Sequence, residues 1–210
     1  MSFRKLLSPD RKTFVEKTYN EMLINEGHLK QPGREFKKGI YLSLVKENEK
    51  LSKDEKEYCK ERYIYEDELQ KAIRKIGEPT ECVHCREKRY SDRFCENCIR
   101  LQLQNLFGNW TSENQIVDKF IQKCQMTSSL PTQIMEWIPY DEFENVKDLT
   151  SGGFSTIYTA TWTKGRIFDY DENVKEFIYF GTQKVVLKSL HGSNKIGEKF
   201  FKEVNINFII

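Results

Sequence analysis

The sequence predicts an α+β chain in which helices come first and an antiparallel β-sheet comes last, joined through a small module built on four cysteines. Three observations carry this. Apolar residues recur at helical spacing through the first eighty positions; four of the six cysteines fall within seventeen residues; and after residue 139 short β-branched and aromatic runs alternate with glycine-bearing loops.

Composition narrows the function classes. The 210 residues leave room for one or two compact domains, and 34 basic against 32 acidic residues give a net charge of +2. No bulk charge therefore directs the chain to nucleic acid or to an anionic membrane. No apolar run approaches the roughly 20 residues that span a bilayer. The start, Met-Ser-Phe-Arg-Lys-Leu-Leu-Ser-Pro-Asp, has no apolar stretch followed by small residues, so no signal peptide is expected. An intracellular, cytoplasmic location follows, with the nucleus left open, and neither membrane nor nucleic acid is expected as a partner.

Residues 1–79 read as a charged helical region, with 18 basic and 15 acidic side chains in the first eighty positions. Ser8-Pro9 has the chemistry of a helix start, and Val15, Thr18, Tyr19, Met22 and Leu23 follow at helical spacing until Gly27. After the Gln31-Pro32-Gly33 turn, Phe36, Ile40, Leu44 and Val45 mark a second helix. A third begins at Leu51-Ser52, where Ser52 and Glu55 have capping-box spacing, and runs through Leu69, Ala72, Ile73 and Ile76 to Gly77 and Pro79.

Residues 80–108 hold the cysteine module, and 109–138 read as a helical linker. Ile99, Leu103, Leu106 and Phe107 continue one helix; Ser112 and Gln115 have the spacing of another capping box ahead of Ile116, Val117, Phe120, Ile121 and Cys124. Cys124 lies on that apolar stripe, the place of a small packed residue rather than a reactive thiol. From 139 to 210, Phe143–Leu149, Thr156–Trp162 and Lys184–Leu190 are the expected strands.

Cys82, Cys85, Cys95 and Cys98 form Cys-x-x-Cys, nine residues, Cys-x-x-Cys. Two intervening residues let one tight turn offer two thiolates to one ion, and two such pairs complete the tetrahedral sulfur shell that zinc accepts. The second pair opens directly into a helix, whose N-terminal dipole favours thiolate. A small treble-clef or zinc-ribbon module is expected. Four sulfurs leave no position for water, so the zinc is structural. Arg86, Lys88, Arg89, Arg93 and Arg100 lie around the ligands and are expected to offset their negative charge. Residues 81–100 hold five basic and four acidic side chains, which leaves the metal-loaded segment close to neutral and no nucleic-acid patch.

The second constellation is Leu149-Thr150-Ser151-Gly152-Gly153-Phe154-Ser155-Thr156-Ile157-Tyr158, with Val185-Val186-Leu187-Lys188 thirty residues on. A glycine turn between two strands makes a flap whose amides can approach phosphate oxygens, and a lysine ending a hydrophobic strand can place its ammonium on the same phosphates. Alone, Gly-Gly between strands is a hairpin turn. With Val-Val-Leu-Lys at this distance it points to a nucleotide.

At these residues the chain resembles the protein kinase superfamily, whose Gly-x-Gly-x-x-Gly-x-Val loop covers ATP and whose Val-Ala-Ile-Lys lysine pairs with a helix glutamate. Thr150, Gly152 and Ser155 stand at the three glycine positions, with Gly153 added; Ile157 stands at the valine position, Val186 at the alanine position and Lys188 at the lysine. Glu203 in Phe200-Phe201-Lys202-Glu203-Val204 stands where the helix glutamate belongs. Asn109-Trp110-Thr111-Ser112, Glu136-Trp137-Ile138-Pro139-Tyr140 and Gly152–Trp162 further resemble segments of a large group of fungal kinase-like proteins, which tend to carry a cysteine-pair module just upstream. The resemblance implies that residues 139–210 are an ATP-binding kinase small lobe, with Gly152, Gly153, Phe154, Ser155, Ile157 and Val186 about the nucleotide, Lys188 on its phosphates and Glu203 orienting Lys188.

The family also needs His-Arg-Asp and Asp-Phe-Gly to place the acceptor and magnesium. His28, His84 and His191 precede Leu, Cys and Gly, and neither motif occurs before Ile210. The expectation is an N-terminal part of a kinase-like protein, inactive alone, that binds ATP and zinc. The alternative is an adaptor whose helices or zinc module bind a partner protein beside a relic lobe.

Overall fold

The computed structural model describes residues 9–27 and 33–191. Ser8, Gln31, Pro32 and Glu203 lie outside them. The chain divides into two compact units, residues 1–71 and 72–210.

In the first unit a 3-10 turn, Pro9–Arg11, leads into α1 (Lys12–Gly27), followed by α2 (Arg34–Glu47) and α3 (Lys53–Arg74). The capping box is present: Ser52 N–H donates to the Glu55 carboxylate at 2.8 Å, and Glu55 N–H donates to Ser52 Oγ at 3.3 Å. Arg11 Nε donates to Glu55 at 2.8 Å, which ties the start of α1 to the start of α3. The core is rich in tyrosine. Val15, Tyr19, Tyr41, Val45, Tyr58, Cys59 and Tyr65 are buried, with Tyr41 stacked on Tyr63 at 4.2 Å between centroids and Tyr19 edge-on to Tyr41 at 5.6 Å. Each ring buries a large apolar body while its hydroxyl needs a partner. Tyr19 donates to Glu66 at 2.7 Å and Tyr58 to Glu16 at 2.5 Å, and Arg62 bonds both carboxylates while lying over the Tyr19 ring at 4.1 Å. Phe36 and Ile73, whose spacing helped mark the second and third helices, are exposed at 62% and 46%. Tyr41 and Tyr65 are buried instead, their rings supplying the apolar bulk of the interior.

The second unit begins with β1 (Thr80–Glu81) and β2 (Lys88–Arg89), a two-residue antiparallel ladder, then α4 (Glu96–Leu106) and α5 (Gln115–Thr127). The cap of α5 is Asn114, not Ser112: its side chain accepts from the amides of Ile116 at 2.9 Å and Val117 at 3.5 Å. Ser112 Oγ donates instead to Asp118, and a short amide side chain two residues nearer the helix captures the orphan amides first. Ile121 and Gln125 are the buried residues of α5, whereas Ile116 is exposed and Cys124 half-buried.

The expected strands are β3 (Phe143–Ser151), β4 (Ser155–Trp162) and β7 (Gln183–Leu190), an antiparallel sheet in the order β3-β4-β7. Two strands that spacing did not predict, β5 (Ile167–Asp171) and β6 (Glu176–Tyr179), form a hairpin between β4 and β7. The ladder hardly breaks between the two sheets. Gly181 N–H donates to the Lys164 carbonyl at 3.0 Å and Phe180 N–H to the Arg166 carbonyl at 2.8 Å, so residues 155–190 are one long bent ribbon. Gly165 (φ 69°) and Gly181 (φ 86°) make the bend in a backbone region that other residues rarely enter. No helix among the described residues is long and apolar enough to cross a membrane.

Candidate metal centre and glycine flap

The two-residue spacers act as expected on the backbone. Between Cys82 and Cys85 the chain turns tightly: Cys82 N–H donates to the Glu87 carbonyl and Arg86 N–H to the Cys82 carbonyl, both at 2.9 Å, with Arg86 at φ 65°. Cys95 stands at the N-cap of α4 and Cys98 in its first turn, where amides and helix dipole favour negative sulfur. The loop between the pairs is held by buried Ser91, whose Oγ accepts from the amides of Arg93 and Phe94 at 3.1 and 3.0 Å.

All four Sγ atoms lie within 4.8 Å of one another, with Cys82–Cys98 at 3.6 Å and Cys85–Cys95 at 3.5 Å. A Zn–S bond of about 2.3 Å gives a tetrahedral edge of ~3.8 Å, so the sulfurs already stand near the corners of such a shell and can hold a metal ion. Cys82, Cys95 and Cys98 are buried and Cys85 half-buried. Burial opposes the Cys85 thiolate, but hydrogen bonds from the Asn97 side chain, the Glu87 amide and the neighbouring thiols outweigh it and bring the group down to about 7. Burial pushes Cys95 up to about 12 and Cys98 up as well, and the adjoining thiols add to this. Cys85 thus gives up its proton readily, whereas Cys95 and Cys98 do so only in exchange for a cation.

The arginines around the cluster pair with carboxylates. Arg89 Nη1 pairs with Glu172 at 2.9 Å, Arg93 with Asp169, Arg86 with Glu81 at 3.1 Å and Arg100 with Glu96 at 3.3 Å. Carboxylates claim them because a guanidinium matches two oxygens better than it does a shielded sulfur. Two of these carboxylates belong to the β5–β6 ribbon. Tyr170 of β5 is buried in one cluster with Cys82, Cys95, Cys98, Ile99 and Leu103, with Phe177 of β6, Phe107, Met126 and Ile134 packed beside it. Sequence reasoning missed Asp169, Tyr170, Glu172 and Phe177. The available signal was Gly165 and Gly181 flanking two aromatic runs.

The second constellation folds as a tight turn. Gly152 N–H donates to the Ser155 carbonyl at 2.9 Å, and Gly153-Phe154 form the tip, with Phe154 exposed at 89%. His191, at the end of β7, holds the flap from below. Its amide donates to the Phe154 carbonyl at 3.0 Å, its Nδ1 lies 3.3 Å from the Gly153 carbonyl, and its Nε2 lies 3.0 Å from Thr156 Oγ1, which is 3.1 Å from Ser151 Oγ. Across the β4–β7 ladder, Ile157 is the direct partner of Lys188 and Thr159 of Val186. Direct antiparallel partners project to the same side, so Ile157, Val186 and Lys188 share one face of the sheet. Val186 is 63% exposed, and Lys188 is exposed too. Among the predicted site residues, the structure thus gathers the four cysteines at one end of the ribbon and Gly152, Gly153, Phe154, Ser155, Ile157, Val186 and Lys188 at the other, while Glu203 lies outside the described residues.

A comparison of the chain with protein-family models, with curated proteins and with solved structures finds no match.

Proposed function

We propose that the second unit is a zinc-stabilised, ATP-facing sheet of a protein-kinase-like protein. Cys82, Cys85, Cys95 and Cys98 bind zinc in a closed, structural role; Gly152–Ser155 cover the phosphates; Ile157 and Val186 take the adenine side; and Lys188 holds the phosphates, oriented by Glu203. The observation that carries this is the register of β4 on β7, which sets Ile157 opposite Lys188 and Val186 on the same face, at the root of a glycine turn. The His191 contacts support it. They occupy the carbonyls of Gly153 and Phe154, which would otherwise repel phosphate oxygens. ATP supplies the transferable phosphoryl group, and in complete kinase domains this goes to a protein Ser, Thr or Tyr. Because the 210 residues contain neither His-Arg-Asp nor Asp-Phe-Gly, the reading for this chain is ATP binding rather than turnover.

The test is ligand-linked stability. Mg-ATP at a hundred times its dissociation constant stabilises a binding-competent fold by about 2.7 kcal/mol, which raises the melting temperature by several degrees. Lys188→Ala should abolish that rise. No rise with the parent chain rejects nucleotide binding. Purified chain should also carry about one zinc, lost in Cys95→Ser.

The adaptor reading has its own observation in the first unit. An open groove of about 840 Å³ runs between α2 and α3, floored by Leu42, Leu51 and Ile64 and edged by Lys46, Lys53, Lys56 and Lys60 together with Glu57 and Glu61. Such a groove suits a partner helix with an apolar face and charged flanks of both signs.

A further inference from the structure

The four-cysteine site and the glycine flap stand at opposite ends of one ribbon. At the distal end, every residue from Ile167 to Tyr170 is buried, which means that both faces of β5 are covered although a hairpin normally shows one face to water. Part of the cover comes from the cysteine module and part from residues 126–136. Tyr170 packs among Cys82, Cys95 and Cys98. Asp169 projects the other way and pairs with Arg93 of the loop between the two cysteine pairs, and Glu172 pairs with Arg89 at 2.9 Å and lies 3.7 Å from His84 Nε2. His84 sits between Cys82 and Cys85, Arg89 ends β2, and Arg93 precedes Cys95 by two residues. These grips are mounted on segments that the four sulfurs help to position; beside them the Glu136 carboxylate accepts the Ile167 amide at 2.7 Å and the Pro131–Gln133 turn packs against β5.

Apart from the Ser91 hydroxyl and the turn at Cys82, those segments have little regular structure of their own. The β1–β2 ladder is two residues long on each side, too short to stand unaided. The other end of the ribbon is β4 and β7, whose ladder carries Ile157, Val186, Lys188 and the flap, and the bend between the ends is bridged by hydrogen bonds rather than by a free loop: Gly181 to Lys164, Phe180 to Arg166, and Thr182 Oγ1 to the Thr163 carbonyl at 3.1 Å.

We propose that metal binding at the four-cysteine site latches the distal end of this ribbon and so sets the order of the strand that presents Lys188, coupling metal occupancy to binding at the flap. The first half stands on the packing alone; the coupling to a ligand rests on the nucleotide reading above. Coupling of this kind is reciprocal, so a ligand that orders the flap also strengthens metal retention.

Hydrogen exchange on the full chain tests it, with metal content followed by native mass spectrometry. Stripping zinc with a chelator should speed exchange tenfold or more across 167–179 and severalfold across 183–188, while 12–27 stays unchanged. Tyr170→Ala should keep its zinc and still show the faster ribbon exchange, and the milder Glu172→Gln should show a severalfold increase confined to 171–176. Metal loss with 167–179 equally protected overturns the latch, as does Tyr170→Ala with a ribbon like the parent's. If purified chain holds no zinc, the metal latch is overturned, and Tyr170→Ala and Glu172→Gln still judge the packing. Mg-ATP binding tenfold weaker to stripped protein supports the coupling; equal binding to both forms overturns it with the nucleotide reading intact. No binding to either form rejects the nucleotide reading and with it the coupling to ATP, and the exchange data still decide the latch.

Discussion

Gly165 and Gly181 face each other where the ribbon leaves the sheet: a Cβ on Gly165 would stand 2.0 Å from the Gly181 carbonyl oxygen. Backbone occupies that space, so it cannot yield as a side chain would. Gly165→Ala should cost at least ~3 kcal/mol, the overlap adding to the left-handed conformation. Gly153→Ala, with nothing within 4 Å of its Cβ, should lie within ~0.5 kcal/mol of the parent. Urea midpoints of the two variants check the contrast; a Gly165→Ala chain as stable as the parent would show that the ribbon can open at its bend.

Glu136 accepts the Ile167 amide at 2.7 Å, and burial raises its carboxyl to about 7, against the opposing pull of that hydrogen bond and of Lys164. The folded chain therefore keeps this proton at pH values where the unfolded chain, near 4.5, has released it. Its contribution to stability falls as pH rises from about 4.5 to about 7 and is lost above that. Glu136→Gln retains the acceptor and removes the charge. It should raise stability at pH 8 by on the order of 2 kcal/mol and flatten the profile between pH 5 and 7. Chemical denaturation across that range reads both effects.

Arg62 joins Glu16 and Glu66 in a partly buried network, whereas Lys17 and Glu21 meet at 3.9 Å with side chains 77% and 59% exposed. Removing Arg62 leaves two carboxylates beside tyrosine hydroxyls that burial already holds protonated. Arg62→Ala should cost about 2–3 kcal/mol, and Lys17→Ala less than ~0.5 kcal/mol. Equal losses in thermal unfolding would mean that the network contributes no more than a surface pair.

Asn114, rather than the pair Ser112 and Gln115, should carry the N-terminus of α5. Asn114→Ala is expected to lower stability by ~1 kcal/mol and Gln115→Ala by almost nothing. The reverse order would restore the capping box that spacing suggested.

The helices, the three principal strands and the cysteine cluster were legible because each is local. A cap such as Ser52 with Glu55, a Cys-x-x-Cys turn or a Gly-Gly hairpin is decided within four residues. The β5–β6 ribbon was not, because Asp169, Asp171 and Glu172 give its strands the polarity of a loop. What makes Asp169 an interior residue is Arg93, 76 residues away, and no window along the chain contains both. Periodicity likewise marked apolar stripes in the first unit but not what covers them: Phe36 sits on such a stripe and is exposed, while the polar-tipped Tyr41 is buried. Of the candidate sites, the metal ligands were visible as a spacing. The shared face of Ile157, Val186 and Lys188 depends on a register between strands thirty residues apart, and it became visible only once the strands were paired.

Among the described residues β3 and β7 are the two margins of the three-stranded sheet. A margin offers unpaired amides and carbonyls to any passing strand, and lysines are the usual deterrent to such stacking. Lys147 on β3 and Lys184 and Lys188 on β7 are all exposed. The lysine proposed to hold phosphate thus stands where a charge also opposes strand-on-strand stacking. Replacing it with an apolar residue would remove the proposed nucleotide contact and leave the margin less guarded, so studies of Lys188 variants need a solubility control alongside the binding curve.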